Sequence, residues 1–280
     1  MTREVIDPPS STRYGGAVSA TASHPQVGPL IREWRTRRNL SQLGLASDSA
    51  VSARHLSFIE TGRARPSREM VLHLAERLEV PLRERNVMLL AAGFAPAYGE
   101  RPLEGEEMAP VREALERFLG AHEPYPAVVV DRHWNLVLAN EAVWFLTEGV
   151  APELLEPPAN ALRATLHPGG MAPRILNFAE WSAHLVHRLR REVALTGDAE
   201  LEALLAEVVG YPGVHSEPPA PEALVPGEIV LPLHVRYGDD RLSFFSTLTT
   251  FGTALDVTLA ELAVEAFYPA DAETAAVLSR

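Results

Sequence analysis

From Ser41 to Gly62 the chain reads SQLGLASDSAVSARHLSFIETG, a stretch compatible with few folds. Ser41 can cap a first short helix, its hydroxyl meeting free backbone N–H groups. Leu45 and Ala46 face inward. Ser52, after apolar Val51, is a second N-cap residue. Leu56 and Ile59, three apart, give the helix behind it one buried face. Ala53, Arg54, His55, Ser57 and Phe58 lie mostly on its other faces, and Gly62 suits the left-handed position that ends a helix. Two short helices joined by a tight turn, the second polar on its outer side, are a helix-turn-helix. The second helix of such a unit enters the major groove of DNA.

The pattern SQxxLAxxxxVSxxxLSxIExG resembles the DNA-binding signature of the lambda-repressor-like (XRE) family. Ser41, Gln42, Leu45, Ala46, Val51, Ser52, Leu56, Ser57, Ile59, Glu60 and Gly62 stand at the matching places, and Ala50 stands where many members have glycine. The continuation RHLSFIETGRARPSREMVLHLAERLEVPLRERNVMLLAAGFAPAY resembles the MmyB-like regulators, over nearly all of 28–280. They join this DNA-binding domain to a C-terminal PAS-like ligand-binding domain. The resemblance implies an all-α five-helix bundle followed by an α+β PAS-like domain with an antiparallel sheet. It implies double-stranded DNA as partner, and places Ala53, Arg54 and Phe58 nearest base edges, with Arg54 able to grip a guanine with both nitrogens. Ser52, His55 and Ser57 share that surface, and Gln42, Arg63 and Arg65 are assigned to phosphates. It also suggests a bound fatty acid. Arg174 would then pair with the carboxylate head and Phe178 or Trp181 line the tail.

Net charge is −12, which by itself disfavours nucleic acid, but its distribution does not. Residues 28–99 hold 11 Arg against 7 Asp and Glu, a net +4; residues 100–280 hold 12 against 28, a net −16. Exposed charges more than about 10 Å apart are largely screened, so local charge decides phosphate contact. All 25 basic residues are arginine. Cysteine is absent, which excludes disulfides and thiol chemistry and fits a cytoplasmic protein. No run of about 18 apolar residues suggests a membrane span, and the N-terminus lacks a secretory pattern.

At 280 residues, 46% apolar and 22% charged, the chain has room for two globular domains. Residues 1–27 read as a disordered tail, with Arg13 a conceivable minor-groove contact. A DNA-binding domain is expected over 28–94, a Pro/Gly/Glu-rich linker over 95–109 and the PAS-like domain over 110–280. In the first, helices are expected over Pro29–Arg38, from Ser67 and from Pro81, besides the two central ones. Arg63 and Arg65 follow the second of these on a loop, within reach of phosphate oxygens. In the second, the expected elements are a helix over Pro110–Ala121, strands Ala127–Val130 and Leu136–Ala139, and a helix capped by Asn140. An irregular stretch follows over 151–170. Then come helices Arg174–Thr196 and Glu200–Val209 and a hairpin of Ile229–Tyr237 with Leu242–Thr250. Thr258–Tyr268 is helix or strand by period, and the PAS resemblance favours a last strand near Leu262–Tyr268.

GxxxxGK[ST], GxSxG and HExxH are absent. His184 and His187 have metal spacing without an acidic or third histidine partner, and nothing brings a nucleophile to a base, so no enzyme, metal or cofactor is expected. The second domain is rich in aromatic residues, among them Trp144, Phe145, Phe178, Trp181 and Phe245. Most such material is core, but apolar cavities with few polar anchors are also how small ligands are held. The expectation is a homodimeric, sequence-specific transcriptional regulator that senses a small apolar ligand and has no membrane partner. The alternative is a helix-turn-helix protein whose C-terminal domain is a protein-interaction or dimerisation module without a ligand.

Overall fold

The computed structural model describes residues 26–217 and 230–279. The expected N-terminal tail lies almost wholly outside the described residues, as do Arg13 and Ile229. Five helices come first: α1 Val27–Arg37, α2 Gln42–Asp48, α3 Ala53–Glu60, α4 Arg68–Arg77 and α5 Leu82–Ala91. Their cores meet through Ile31, Trp34, Leu45, Leu56, Ile59, Leu74, Leu78, Met88 and Leu89, all buried. Ser41, Ser52 and Ser67 each accept a backbone N–H at a helix start. Each helix then stops the same way. Asn39, Ala50, Gly62, Glu79 and Gly93 take the left-handed conformation, with φ of 55°, 53°, 72°, 49° and 86°. Behind Ala50, Val51 N–H reaches back to Ala46 O and Ala50 N–H to Ser47 O, the double bond that closes a left-handed helix end. Gly28 is needed for packing, because a Cβ there would stand 2.4 Å from Ile59 O. The first turn of α1 thus lies directly on the last turn of α3.

The second half is built on one antiparallel sheet, after helix α6 Ala109–Ala121. Its strands are β1 Ala127–Val130, β2 Leu136–Ala139, β3 Leu233–Tyr237, β4 Asp240–Thr250 and β5 Ala263–Pro269, in the order β2-β1-β5-β4-β3. The side-chain period of two divides β1 between the faces. Ala127 and Val129 pack with Val264, Ala266 and the α6 residues Leu115 and Leu119. On the other face lie α7 Trp144–Thr147, α8 Ala161–Leu166, α9 Phe178–Thr196 and α10 Ala199–Val209, whose core includes Trp134, Phe145, Leu162, Trp181, Leu185, Leu189, Leu233 and Phe244. Short helices α11 Val257–Ala260 and α12 Ala272–Leu278 flank β5.

The bundle and bound sheet architecture agree with the expected fold class, and β1 and β2 have the expected limits. Several local expectations do not hold. Asn140 does not cap a helix: its Oδ1 accepts Ala127 N–H and its Nδ2 donates to Leu119 O and Tyr125 O. The turn after it is 3-10, Glu141–Val143, and Glu123 from outside accepts the free N–H groups of Glu141 and Ala142. The stretch 151–170 is not irregular throughout, because Asn160 caps α8 by accepting from Leu162 and Arg163. The long helix starts at Phe178 rather than Arg174, since Ile175 bridges to Val235 at the sheet edge. Pro232 lacks an N–H for the ladder, and β3 begins after it. Of Thr258–Tyr268, the first residues are helical and the rest form β5.

The segment expected as a linker is fastened down. Leu103 and Met108 are buried in the α6 face of the sheet, and Gly99 bridges to Asp256. The bundle touches the second half at two places. Arg83 on α5 donates two 2.8 Å bonds to Glu261 and pairs with Glu100 at 2.7 Å. Arg38 at the end of α1 donates to Leu195 O near the end of α9, where helix carbonyls lack partners.

Candidate nucleic-acid interface and ligand cavity

Helix α3 is held from below by one carboxylate. Glu60 is 7% exposed, accepts from Arg35 Nε at 2.7 Å and Nη2 at 3.1 Å, and accepts from Gln42 Nε2 at 2.9 Å. Arg35 also donates to Leu40 O. Helices α1, α2 and α3 therefore meet at a single buried ion pair. Gln42, expected on phosphate, has one N–H spent there. Its partner Glu60 was legible as a signature residue but not as a hub.

The outward side of α3 is open. Ser52 and Arg54 are exposed, and Ala53, His55, Ser57 and Phe58 are half-buried. The Arg54 guanidinium lies 5.4 Å over the Phe58 ring, a stacking that fixes its direction. Arg63 and Arg65 are exposed on the loop behind the helix. Among the described residues, no hydrogen bond or ion pair ties Arg54, Arg63 or Arg65 to a carboxylate. The acidic half does not cover them through polar contacts, and their charge is available to phosphate or base edges.

In the second half, a cavity of about 90 Å³ opens between the sheet and α7, α8 and α9. Leu136, Leu146, Leu162, Met171, Trp181 and Phe267 give it an apolar wall. Of the six residues expected at a ligand, Trp181 lines it. The other five stand elsewhere. Phe145 is buried beside it, stacked on Phe244. Trp144 is 60% exposed and meets Tyr237 edge-on in an outer groove. Phe178 is half-buried, near Gly213. Phe245 lies on the opposite face of the sheet, stacked on Tyr268. Arg174 is consumed by the backbone: it donates to Phe145 O, Leu146 O, Glu148 O and Arg236 O, closing the C-terminal end of α7.

Glu265 reaches the cavity wall from mid-β5 and is 7% exposed. Its Oε2 accepts from Arg188 Nη1 at 3.2 Å. Arg188 lies 4.1 Å over the Trp134 ring and donates to Glu192 Oε1 at 3.3 Å, while Trp134 Nε1 donates to Glu192 Oε2 at 2.7 Å. Burial pushes the Glu192 carboxyl above its ordinary range. Trp134 itself holds φ of 66°, costly for a bulky residue, in the turn that joins β1 to β2. Sequence reasoning did not single out this group. The available signal was Glu265, a charge at an inward position of the apolar strand AVEAFYP. His184 and His187 stand exposed on α9.

A helix-turn-helix family model matches residues 26–88, and the model for the MmyB-like transcription regulator ligand binding domain matches residues 111–280. The second match alone covers more than half the chain. This protein belongs to the MmyB-like transcription regulators. Both matches are to families of transcription regulators, so the five-helix bundle is the DNA-binding part of this MmyB-like regulator and the sheet-bearing half its ligand-binding domain. No curated protein matches the chain closely enough to add a relative. Among the described residues, no helix of the regulator is long and apolar enough to cross a membrane.

Proposed function

We propose that the chain is a cytoplasmic, dimeric, sequence-specific regulator of transcription and not an enzyme. Its DNA-binding domain spans 28–94, and its PAS-like domain, 110–280, senses a small apolar ligand. Helix α3 reads bases through Ala53, Arg54 and Phe58, with Ser52, His55 and Ser57 at the same surface. Gln42, Arg63 and Arg65 contact phosphates. The carrying observation is that Arg54 is exposed, stacked on Phe58 and unpaired with any carboxylate among the described residues. The small apolar cavity beside Trp181 supports the sensor part, and the tail of a fatty acid is the chemistry such a wall would bury.

Selecting bound DNA from a random pool gives the operator, and the variants then separate the roles. Arg54→Ala should cost about 1–3 kcal/mol and relax selectivity at one base pair. Arg63→Ala should weaken all sequences alike and lower the salt slope by about 1. If Arg54→Ala bound every operator variant as the parent does, the base-reading role would be lost. One observation favours a protein-interaction module instead: Trp144 is exposed at the Tyr237 groove. Native mass spectrometry separates the readings, since a co-purifying apolar molecule supports the sensor.

A further inference from the structure

Trp144 is 60% exposed, whereas Trp34, Trp134 and Trp181 are each buried to 5% exposure or less. Its helix, α7, buries Phe145 and Leu146 and leaves Trp144 over an outer groove of about 530 Å³. Sites for small molecules span about 300–1,000 Å³. This groove shares no lining residue with the apolar cavity. Its rings are held at a fixed angle. Trp144 and Tyr237 meet at 75° with centroids 6.0 Å apart, and both stand edge-on to Phe145, at 6.4 and 5.9 Å. Phe145 is buried and stacked on Phe244, so it is a rigid backing for the pair. The rim is acidic. Strands β3 and β4 pair Tyr237 with Asp240, which sets a ring and a carboxylate side by side. Glu123 and Glu141 add two more carboxylates. Glu123 is fixed there, because its Oε1 accepts the N–H groups of Glu141 and Ala142. None of the three carboxylates forms an ion pair among the described residues, and no arginine or histidine among them lines the groove. Arg174, which closes the far end of α7, is spent on carbonyls. Two ring faces at a steep angle, an acidic rim and no resident cation favour a positive charge. The face of an aromatic ring is its negative part, and a methylated ammonium needs no hydrogen-bond acceptor in exchange for its water.

We propose that this groove binds a small organic ammonium ion, its charged head against Trp144 and Tyr237, with Glu123, Glu141 and Asp240 as counter-charge. A specific protein partner would bury about 800 Å² on each side. Among the described residues that line the groove, Trp144 is the one large apolar side chain that is exposed, which suits a single cationic group better than a protein face. The assignment does not depend on what fills the apolar cavity.

Calorimetric titration of the full chain with choline and with its neutral isostere 3,3-dimethyl-1-butanol, at low and high salt, tests this. Acrylamide quenching of tryptophan fluorescence reports the site, since Trp144 is the exposed tryptophan. Choline should bind about fivefold more tightly than the isostere, weaken as salt rises, and shield Trp144 from acrylamide. Trp144→Leu should lower choline affinity about fivefold and Asp240→Asn about twofold, while Tyr237→Phe, which keeps the ring face, should stay within about twofold of the parent. Equal binding of the two compounds makes the groove an apolar docking face and overturns the charge assignment. Choline binding that leaves Trp144 quenching unchanged, or that survives Trp144→Leu, overturns the site. No binding of choline overturns the proposal, and each of these failures leaves the DNA-binding and sensor readings standing. The parent comparison is decisive by itself should Trp144→Leu not fold.

Discussion

Ala50 shows how much one residue's backbone can carry. Its φ of 53° is where an L side chain crowds the following carbonyl, at a cost of roughly 1–2 kcal/mol against glycine. The turn between α2 and α3 nevertheless needs that conformation, because it aims the N-cap Ser52 and so the helix behind it. Glycine would relieve the strain and return about 0.5–1 kcal/mol of it through greater freedom in the unfolded chain. Ala50→Gly should therefore stabilise the regulator by about 0.5–1 kcal/mol, read as a higher denaturation midpoint with unchanged slope. An unchanged or lower midpoint would mean that the turn is not strained. Ala50 was visible in the sequence as a departure from the family glycine, and its backbone strain was not, since alanine's chemistry carries no sign of φ.

At the scale of elements, Glu60 joins three helices where a signature suggests only one more helical residue. Its carboxylate is buried and holds both Arg35 and Gln42. Removing one partner of a buried pair leaves an uncompensated charge, typically at 3–5 kcal/mol. Glu60→Ala should cost about 3 kcal/mol, because Arg35 retains its bond to Leu40 O, and Gln42→Ala about 1 kcal/mol. Equal losses on chemical denaturation would show that Glu60 is not the hub. Three of the five bundle helices were legible because their caps are local: a serine and the N–H three residues on are all that is required. So were β1 and β2, whose turn chemistry lies within the segment. Asn140 misled because its side chain answers backbone groups 13, 15 and 21 residues away. The same holds at the cavity. Trp181 and Arg174 were both assigned through the family resemblance; Trp181 lines the cavity, whereas the Arg174 guanidinium is taken up by four distant carbonyls. Glu265 has its role only because β5 comes to lie beside β1 and beneath α9.

At the scale of the molecule, the two halves enclose a cleft of about 290 Å³ that shares a wall with the apolar cavity. Trp134 lines both spaces, and Arg188 lines the cleft while gripping Glu265 of the cavity. On the bundle side stand Arg83 and Glu84; opposite are Arg132, Asp198 and Glu261. Arg188 and Trp134 therefore stand between Glu265 and the cleft that the bundle borders. The docking itself depends on charges that titrate. Burial is the largest influence on the Glu84 carboxyl; Arg132 and Arg83 oppose it, Asp198 and Glu261 add to it, and the net displacement is upward. A carboxyl raised on docking binds its proton more tightly in the docked arrangement. Docking is then favoured on the acid side of that raised value and loses this contribution as pH rises through it. Arg83 acts in the other sense, since its paired charge holds Glu261 at any pH where both are ionised. Arg83→Ala should separate the halves, increasing the radius of gyration in solution scattering and the hydrogen exchange of α5 and α11. Glu84→Gln should keep the compact form at neutral pH and remove the acid-side tightening that the parent shows. If the parent's radius does not change between pH 7 and the acid limit of solubility, Glu84 does not govern the contact. If Arg83→Ala leaves both exchange and radius unchanged, packing and the α1–α9 contact at Arg38 hold the halves together without the ion pair.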